Sequence, residues 1–98
     1  MKAVHILIYR FKPGVDRVDE HLEAIRAFEG KTPGLSSLEC GRNLSTSPSG
    51  ERFTHGFVMT FDSSEALEAY RKSPAHREFV KRFKDDVEAK AIFDPAID

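Results

Sequence analysis

Four stretches of the chain concentrate or alternate apolar residues in the way that β-strands do, over residues 3–11, 35–44, 53–61 and 88–98. In the first stretch both alternating sets of side chains are mostly apolar, so both faces of this strand are expected to be buried. Alternation also places the histidines at positions 5 and 55 on the same faces as the bulkier apolar side chains of their strands.

Helical spacing of apolar residues follows or separates these strands over residues 15–30, 64–72 and 73–87. Asp62 or Ser63 can cap the second of these helices, and Ser73 followed by Pro74 is typical of a helix start. The region therefore predicts two helices with a corner between them. His21 falls off the apolar stripe that we assign to the first helix, which predicts a surface position. Residues 45–52 are polar and predict a loop.

The resulting order is strand, helix, strand, strand, helix pair, strand, without internal repeats or a linker. This order predicts one α+β domain over residues 1–98, with a four-stranded antiparallel-type sheet and helices on one face, the split βαβ arrangement. We expect the first and third strands to lie side by side and parallel at the centre. The first residues of these two strands would then lie at the same end of the sheet.

The helices of such a domain can cover only one face of the sheet. Val4 and Ile6 of the first strand, with Val58 and Ile92, would form an apolar surface on the other face, and an uncovered patch of that kind is unusual in a monomer. A second copy packed sheet against sheet removes the patch. The sequence therefore predicts a homodimer, with a closed dimeric α+β barrel as its architecture.

Composition narrows the classes of function. The chain has 98 residues and a formal net charge of −1, so it lacks the electrostatic footprint of a protein that binds nucleic acid or an anionic membrane. The apolar run at the N-terminus is too short for a signal peptide or a membrane span. A lone cysteine, Cys40, suits a reducing compartment, and these features together predict a cytoplasmic protein.

The corner carries the candidate chemistry. His76 falls in the first turn of its helix, where the helix dipole disfavours an imidazolium and favours a neutral, base-competent ring. If the central strands are parallel, His5 and His55 lie at one end of the sheet, and the corner with Tyr70 and His76 closes over it. Each of these side chains alone also suits a structural role. The predicted pocket lies between helices and sheet and is lined by Leu7, Tyr9, Phe57, Met59, Phe79 and Phe83.

Other chemistries find little support in the residues. The three histidines come from separate elements without a closely spaced pair, so we predict no dedicated metal site. No glycine-rich phosphate-binding motif and no nucleophile elbow is present, and no cofactor is predicted.

Several segments resemble the stress-responsive A/B barrel (Dabb) family. They are "HILIYRFKPGV" near the start, "PGLSSLECGRNLS" in the middle, "THGFVMTFDSSEALEAYRKSPAHREFV" after it and "IFD" near the end. The resemblance covers essentially the whole chain, and its most specific piece is Y-x-x-x-P-x-H followed by phenylalanine and valine. It implies a ferredoxin-like subunit and a homodimer.

The chain is also similar to polyketide cyclases of the olivetolic acid type, which close a poly-β-ketoacyl thioester by an aldol step. That resemblance implies that His76 is a general acid and base and that Tyr70 orients it or the substrate carbonyl. It implies that His5 and His55 polarise the pocket floor. Two alternatives remain: a non-catalytic stress-response or ligand-binding dimer, and, third, a monooxygenase-like barrel protein.

Overall fold

The chain forms the predicted elements in the predicted order, with two short additions. A computed structural model describes residues 1–97, with side chains for all but residues 49 and 50. The elements are β1 (Lys2–Phe11), α1 (Val18–Arg26), β2 (Leu35–Arg42), α2 (Pro48–Arg52), β3 (His55–Phe61), α3 (Ser64–Lys72), α4 (Pro74–Phe83), a 3₁₀ turn (Lys84–Asp86), β4 (Val87–Phe93) and β5 (Ala96–Ile97). The loop predicted over residues 45–52 is wrong in its second part, which forms the short helix α2.

The strands form one sheet in the order β2-β3-β1-β4, and β5 pairs with the beginning of β1. Every pairing is antiparallel. The prediction that β1 and β3 run parallel is therefore wrong. The crossover through α1 makes β1 and β2 parallel, and β3 then returns from β2 and inserts between them in the opposite direction.

The antiparallel pairing of β1 and β3 decides which of their residues lie opposite each other. His5 lies opposite Met59, whereas His55 lies opposite Tyr9. Because β1 begins where β3 ends, the two histidines stand at opposite ends of the strand pair rather than at one end.

The helices cover one face of the sheet, as predicted. The side chains of His5, Tyr9, Phe57, Met59 and Phe61 are buried on this face. They pack in one core with buried apolar residues from α1, the turn after it and α3, namely Ile25, Phe28, Leu67 and Tyr70. Aromatic and aliphatic burial between one sheet and its helices thus holds the domain together.

The other face of the sheet has no layer of its own. Val4, Ile6 and Val58 are half-buried there, and Ile8 is 37% exposed. Phe93 of β4, which pairs with Ile6, is 65% exposed. We call this surface, defined by these five residues, the open face. Ile92 pairs with Leu7 of the covered face, so the prediction that it extends the open face is wrong.

Both predicted helix starts on the covered side are confirmed. The Ser63 side chain accepts a hydrogen bond from the backbone N–H of Ala66 at the start of α3. Ser73 caps α4 in the same way, and Pro74 occupies the first turn of that helix. The corner between α3 and α4 is therefore built by a serine–proline pair.

Candidate functional site

Tyr70 and His76 meet where α3 ends and α4 begins. The centroids of their rings are 4.8 Å apart. The ring of His5, which projects from β1 on the covered face, lies 6.0 Å from that of Tyr70. The structure thus brings together three of the four polar side chains that the sequence predicts for the pocket. We call these three residues the corner.

His76 is held as a neutral base. Its Nδ1 lies 3.0 Å from the backbone carbonyl oxygen of Arg71. Because a carbonyl oxygen only accepts, Nδ1 carries the proton and Nε2 keeps a lone pair. Burial lowers the pKa of His76 and outweighs the hydrogen bond to the Arg71 carbonyl, which raises it, while the positive charges of Arg71 and Lys90 lower it further. The ring is consequently an acceptor of protons at neutral pH.

His5 is fixed by a carboxylate that follows β4. Its Nδ1 donates to Oδ1 of Asp94 over 2.6 Å, and the guanidinium of Arg71 binds the other oxygen of the same carboxylate. Burial, and then the Arg71 charge, lower the pKa of His5 to about 4. Since Arg71 offsets the charge of Asp94, the imidazole stays neutral and its Nε2 is unprotonated.

Tyr70 supplies the complementary group. The residue is only 3% exposed, and burial raises the pKa of its phenol above the ordinary value. The hydroxyl is therefore protonated at neutral pH, and it can donate a hydrogen bond. Two unprotonated imidazole nitrogens and one hydroxyl donor make the corner an acid–base site by composition.

A cavity of about 220 Å³ lies between α4, β1 and β4. Four of the residues predicted to line the pocket line this cavity, namely Leu7, Tyr9, Phe79 and Phe83. Leu7 follows His5 by two positions on the same face of β1, and Val80, another lining residue, follows His76 by one helical turn. None of the three corner residues lines this cavity, which is connected to them through the neighbouring positions of β1 and α4.

The remaining predicted pocket residues lie elsewhere. Phe57 and Met59 are core residues, and neither lines this cavity, although the Phe57 ring lies 5.6 Å from that of His5. His55 is absent from the corner, and the prediction that it shares one end of the sheet with His5 is wrong. It stacks on Tyr9 at 6.2 Å and hydrogen-bonds Thr54 through Nδ1. Because β1 and β3 are antiparallel, His55 and His5 lie at opposite ends of the strand pair.

His21 is the histidine that sequence reasoning misplaces. It is 3% exposed rather than on the surface, lines the cavity, and has Nδ1 3.4 Å from the hydroxyl of Tyr9. Burial lowers its pKa to about 4. A usable signal was present, because His21, Ile25 and Phe28 follow the i, i+4, i+7 spacing of a buried helix face.

Metal chemistry and membrane insertion gain no support from residues 1–97. Within this range, no group of three or more histidine, cysteine, aspartate or glutamate side chains is placed to hold a metal ion. Nor is any described helix both long enough and apolar enough to span a bilayer.

Comparison with known sequences gives one consistent result. The family model of the stress responsive A/B barrel domain matches residues 3–96. The stress-response A/B barrel domain-containing protein HS1 of Arabidopsis thaliana is 27% identical over 92 residues, which cover 92% of this chain and 84% of that protein.

Solved structures share the fold. A hydroxynitrile lyase from Passiflora edulis superimposes with a TM-score of 0.87 at 22% identity, over 99% of this chain and 94% of that one. A dimeric ferredoxin-like protein of unknown function from Jannaschia sp. CCS1 gives a TM-score of 0.86 at 21% identity, over 99% and 100% of the two chains. These likenesses show a ferredoxin-like α+β fold with an antiparallel sheet and helices on one face.

Proposed function

Because the chain belongs to the stress responsive A/B barrel domain family, we propose that it is a homodimer that performs acid–base chemistry on a small carbonyl compound at the corner. The open face supports the dimer. A second copy laid on it would cover Val4, Ile6 and Phe93, and the ferredoxin-like relative from Jannaschia sp. is itself dimeric.

One observation carries the catalytic part of the proposal. The hydrogen bond from His76 Nδ1 to the Arg71 carbonyl leaves Nε2 as the basic nitrogen, beside a tyrosine whose hydroxyl is kept protonated. Removal of a proton next to a carbonyl requires a neutral base and a donor for the developing enolate oxygen. His76 is the neutral base, and Tyr70 is the donor.

The proposed reaction is an aldol-type ring closure. His76 Nε2 takes a proton from the carbon beside a carbonyl, and the electron pair of that C–H bond moves into an enolate. Tyr70 donates a hydrogen bond to the enolate oxygen. The enolate carbon then attacks a second carbonyl of the same molecule, and the proton held by His76 passes to the resulting alkoxide.

His5 has a supporting part in this reaction. Its clamp by Asp94 and Arg71 fixes the ring, so that its unprotonated Nε2 can accept a hydrogen bond from a substrate hydroxyl or from an enol. The hydroxynitrile lyase of the same fold adds support, because its name shows that this fold can carry a lyase.

Proton exchange tests the proposal without knowledge of the natural substrate. The probes are acetophenone and 2-heptanone in D₂O, whose α-protons are followed by ¹H NMR. The wild-type chain should accelerate exchange over buffer, and His76→Gln should lose about 100-fold of the acceleration, the order that a general base contributes. Tyr70→Phe should also lose activity. Arg77→Gln, an exposed change one residue along α4, is the matched control.

A second function is favoured by a different observation. Nδ1 of His5 and of His76 are both engaged in bonds that tie α3, α4 and the segment after β4 together. A non-catalytic stress-response dimer would use them for stability alone. In that case no probe exchanges faster than in buffer, and His76→Gln lowers only the melting temperature.

A further inference from the structure

The mouth of the cavity beside the corner is positively charged. Lys84 and Lys90 both line it, one from the 3₁₀ turn after α4 and one from β4. Glu88 is the acidic member of the lining, and its carboxylate is bound 2.8 Å from Nε of Arg10. Within residues 1–97, leaving aside the side chains at 49 and 50, neither lysine forms an ion pair. The mouth therefore offers two ammonium groups to a ligand.

Four of the residues that line the cavity carry aromatic rings. Phe79, Phe83 and His21 form one aromatic cluster, in which the His21 ring lies 5.2 Å from Phe79 and 4.8 Å from Phe83. Tyr9 adds a fourth ring, 5.0 Å from His21. Rings in such arrangements accept a further ring in offset or edge-to-face contact. Aromatic ligands should thus bind more tightly here than saturated ligands of similar size.

The size of the cavity limits its occupant. Since an apolar cavity of about 150 Å³ holds benzene, the volume of about 220 Å³ accommodates one aromatic ring with a short substituent.

From these observations we propose that the cavity binds a small aromatic carboxylate, with its ring among Tyr9, His21, Phe79 and Phe83 and its carboxylate between Lys84 and Lys90. This inference rests on the proposed function in one respect, because it names the class of compound that the cavity beside the corner would hold for that reaction. A carbonyl on the substituent would have to lie on the side of the cavity lined by Leu7 and Val80, which follow His5 in β1 and His76 in α4.

Binding measurements distinguish the contribution of the carboxylate charge from that of the aromatic ring. The probes are phenylacetate, its neutral analogue 2-phenylethanol, and cyclohexylacetate, titrated by calorimetry into the wild-type protein at low and high salt. We expect phenylacetate to bind at least about tenfold more tightly than 2-phenylethanol, as for one charge-assisted contact. It should also bind more tightly than cyclohexylacetate, because only an aromatic ring makes the ring contacts. Added salt should reduce its advantage over 2-phenylethanol.

Two double variants identify the lysines. Lys84→Gln with Lys90→Gln should abolish the advantage of phenylacetate over 2-phenylethanol. Lys72→Gln with Lys81→Gln removes the same charge at exposed helix positions outside the cavity lining and should preserve it. Binding of phenylacetate is measured without any reaction, so the absence of proton exchange in the wild-type protein would leave this inference standing.

Three results would overturn the inference: no binding of phenylacetate, equal binding of phenylacetate and 2-phenylethanol, or an advantage that survives in the Lys84/Lys90 variant. Equal binding of cyclohexylacetate and phenylacetate would overturn its aromatic part. If the double variant does not fold, the effect of salt on the advantage of phenylacetate over 2-phenylethanol in the wild-type protein still tests whether the carboxylate meets a positive charge.

Discussion

Tyr70 and His76 are joined through the side chain of the residue that separates their helices. The hydroxyl of Ser73 donates to the carbonyl oxygen of Tyr70 over 2.7 Å and accepts the backbone N–H of His76 over 3.1 Å. One side chain therefore closes α3, opens α4 and sets the ring separation of 4.8 Å. The helix corner and the candidate acid–base pair are the same structural feature.

Ser73→Ala should accordingly affect both stability and the site. Loss of an N-cap costs about 1 kcal/mol of unfolding free energy, which urea denaturation measures. The ¹H–¹³C NMR signals of His76 should also move, because the first turn of α4 is no longer fixed. Ser64→Ala, which removes an exposed hydroxyl in the first turn of α3, is the control and should change neither. Unchanged His76 signals in Ser73→Ala would contradict the linkage.

Burial of His21 should make the protein sensitive to acid. The pKa of His21 is about 4 in the folded chain, against the ordinary value of 6.5 that we take for the unfolded chain. Between these values the unfolded chain binds more protons than the folded one, so the free energy of unfolding falls as pH falls from 6.5 to 4. The loss attributable to His21 approaches about 3 kcal/mol at pH 4, at about 1.4 kcal/mol for each pH unit.

His21→Leu tests this acid sensitivity by removing the titrating group from the same buried position. Urea unfolding at pH 7 and at pH 4.5 should show a smaller difference between the two pH values in the variant than in the wild type. His5 titrates in the same direction in both proteins. An identical pH dependence in the two would show that His21 is not buried in a neutral form.

The open face should carry the contact between subunits. Ile6→Lys places a charge at its centre and should raise the dimer dissociation constant at least about 100-fold, because a lysine there is desolvated without a partner. Light scattering after gel filtration measures the change in mass. Ala69→Lys puts the same charge on an exposed position of α3 and should leave the dimer intact. A dimer that persists in Ile6→Lys would place the interface elsewhere.

Two glycines form a matched pair for backbone strain and close packing. Gly30 and Gly34 have φ of +78° and +79°, but a Cβ at Gly30 meets nothing within 4 Å, whereas one at Gly34 would lie 2.5 Å from Cβ of Ala66. Gly30→Ala should cost about 1 kcal/mol of unfolding free energy through strain. Gly34→Ala should cost at least about 1 kcal/mol more, because α3 must move away. Equal costs would mean that the contact with α3 gives way freely.

Local rules account for most of the fold. Alternation in β1 and β3 identifies the face that meets the helices, and Ser63, Ser73 and Pro74 locate the starts of α3 and α4 from short-range chemistry alone. The two-sided apolar character of β1 likewise anticipates the open face. These features depend on neighbours within a few residues, which is the range that sequence patterns report.

The errors involve long-range relationships. Alternation is the same for a parallel and an antiparallel strand, so it could not tell that His55 lies opposite Tyr9 rather than beside His5. His21 was misplaced because a polar residue on a buried helix face resembles a surface residue unless its neighbours are known. Its aromatic surroundings come from β1 and α4, which are distant in sequence.

The short pairing of β5 with β1 brings Lys2 beside Ile97 and Ala3 beside Ala96. A peptide tether of a few residues would therefore suffice to join these two positions, and new ends could be opened in the connection between β2 and β3 without cutting a strand. The same proximity places Lys2 and Ile97 together at one end of the sheet, and Ile97 follows Asp94 of the clamp by three positions.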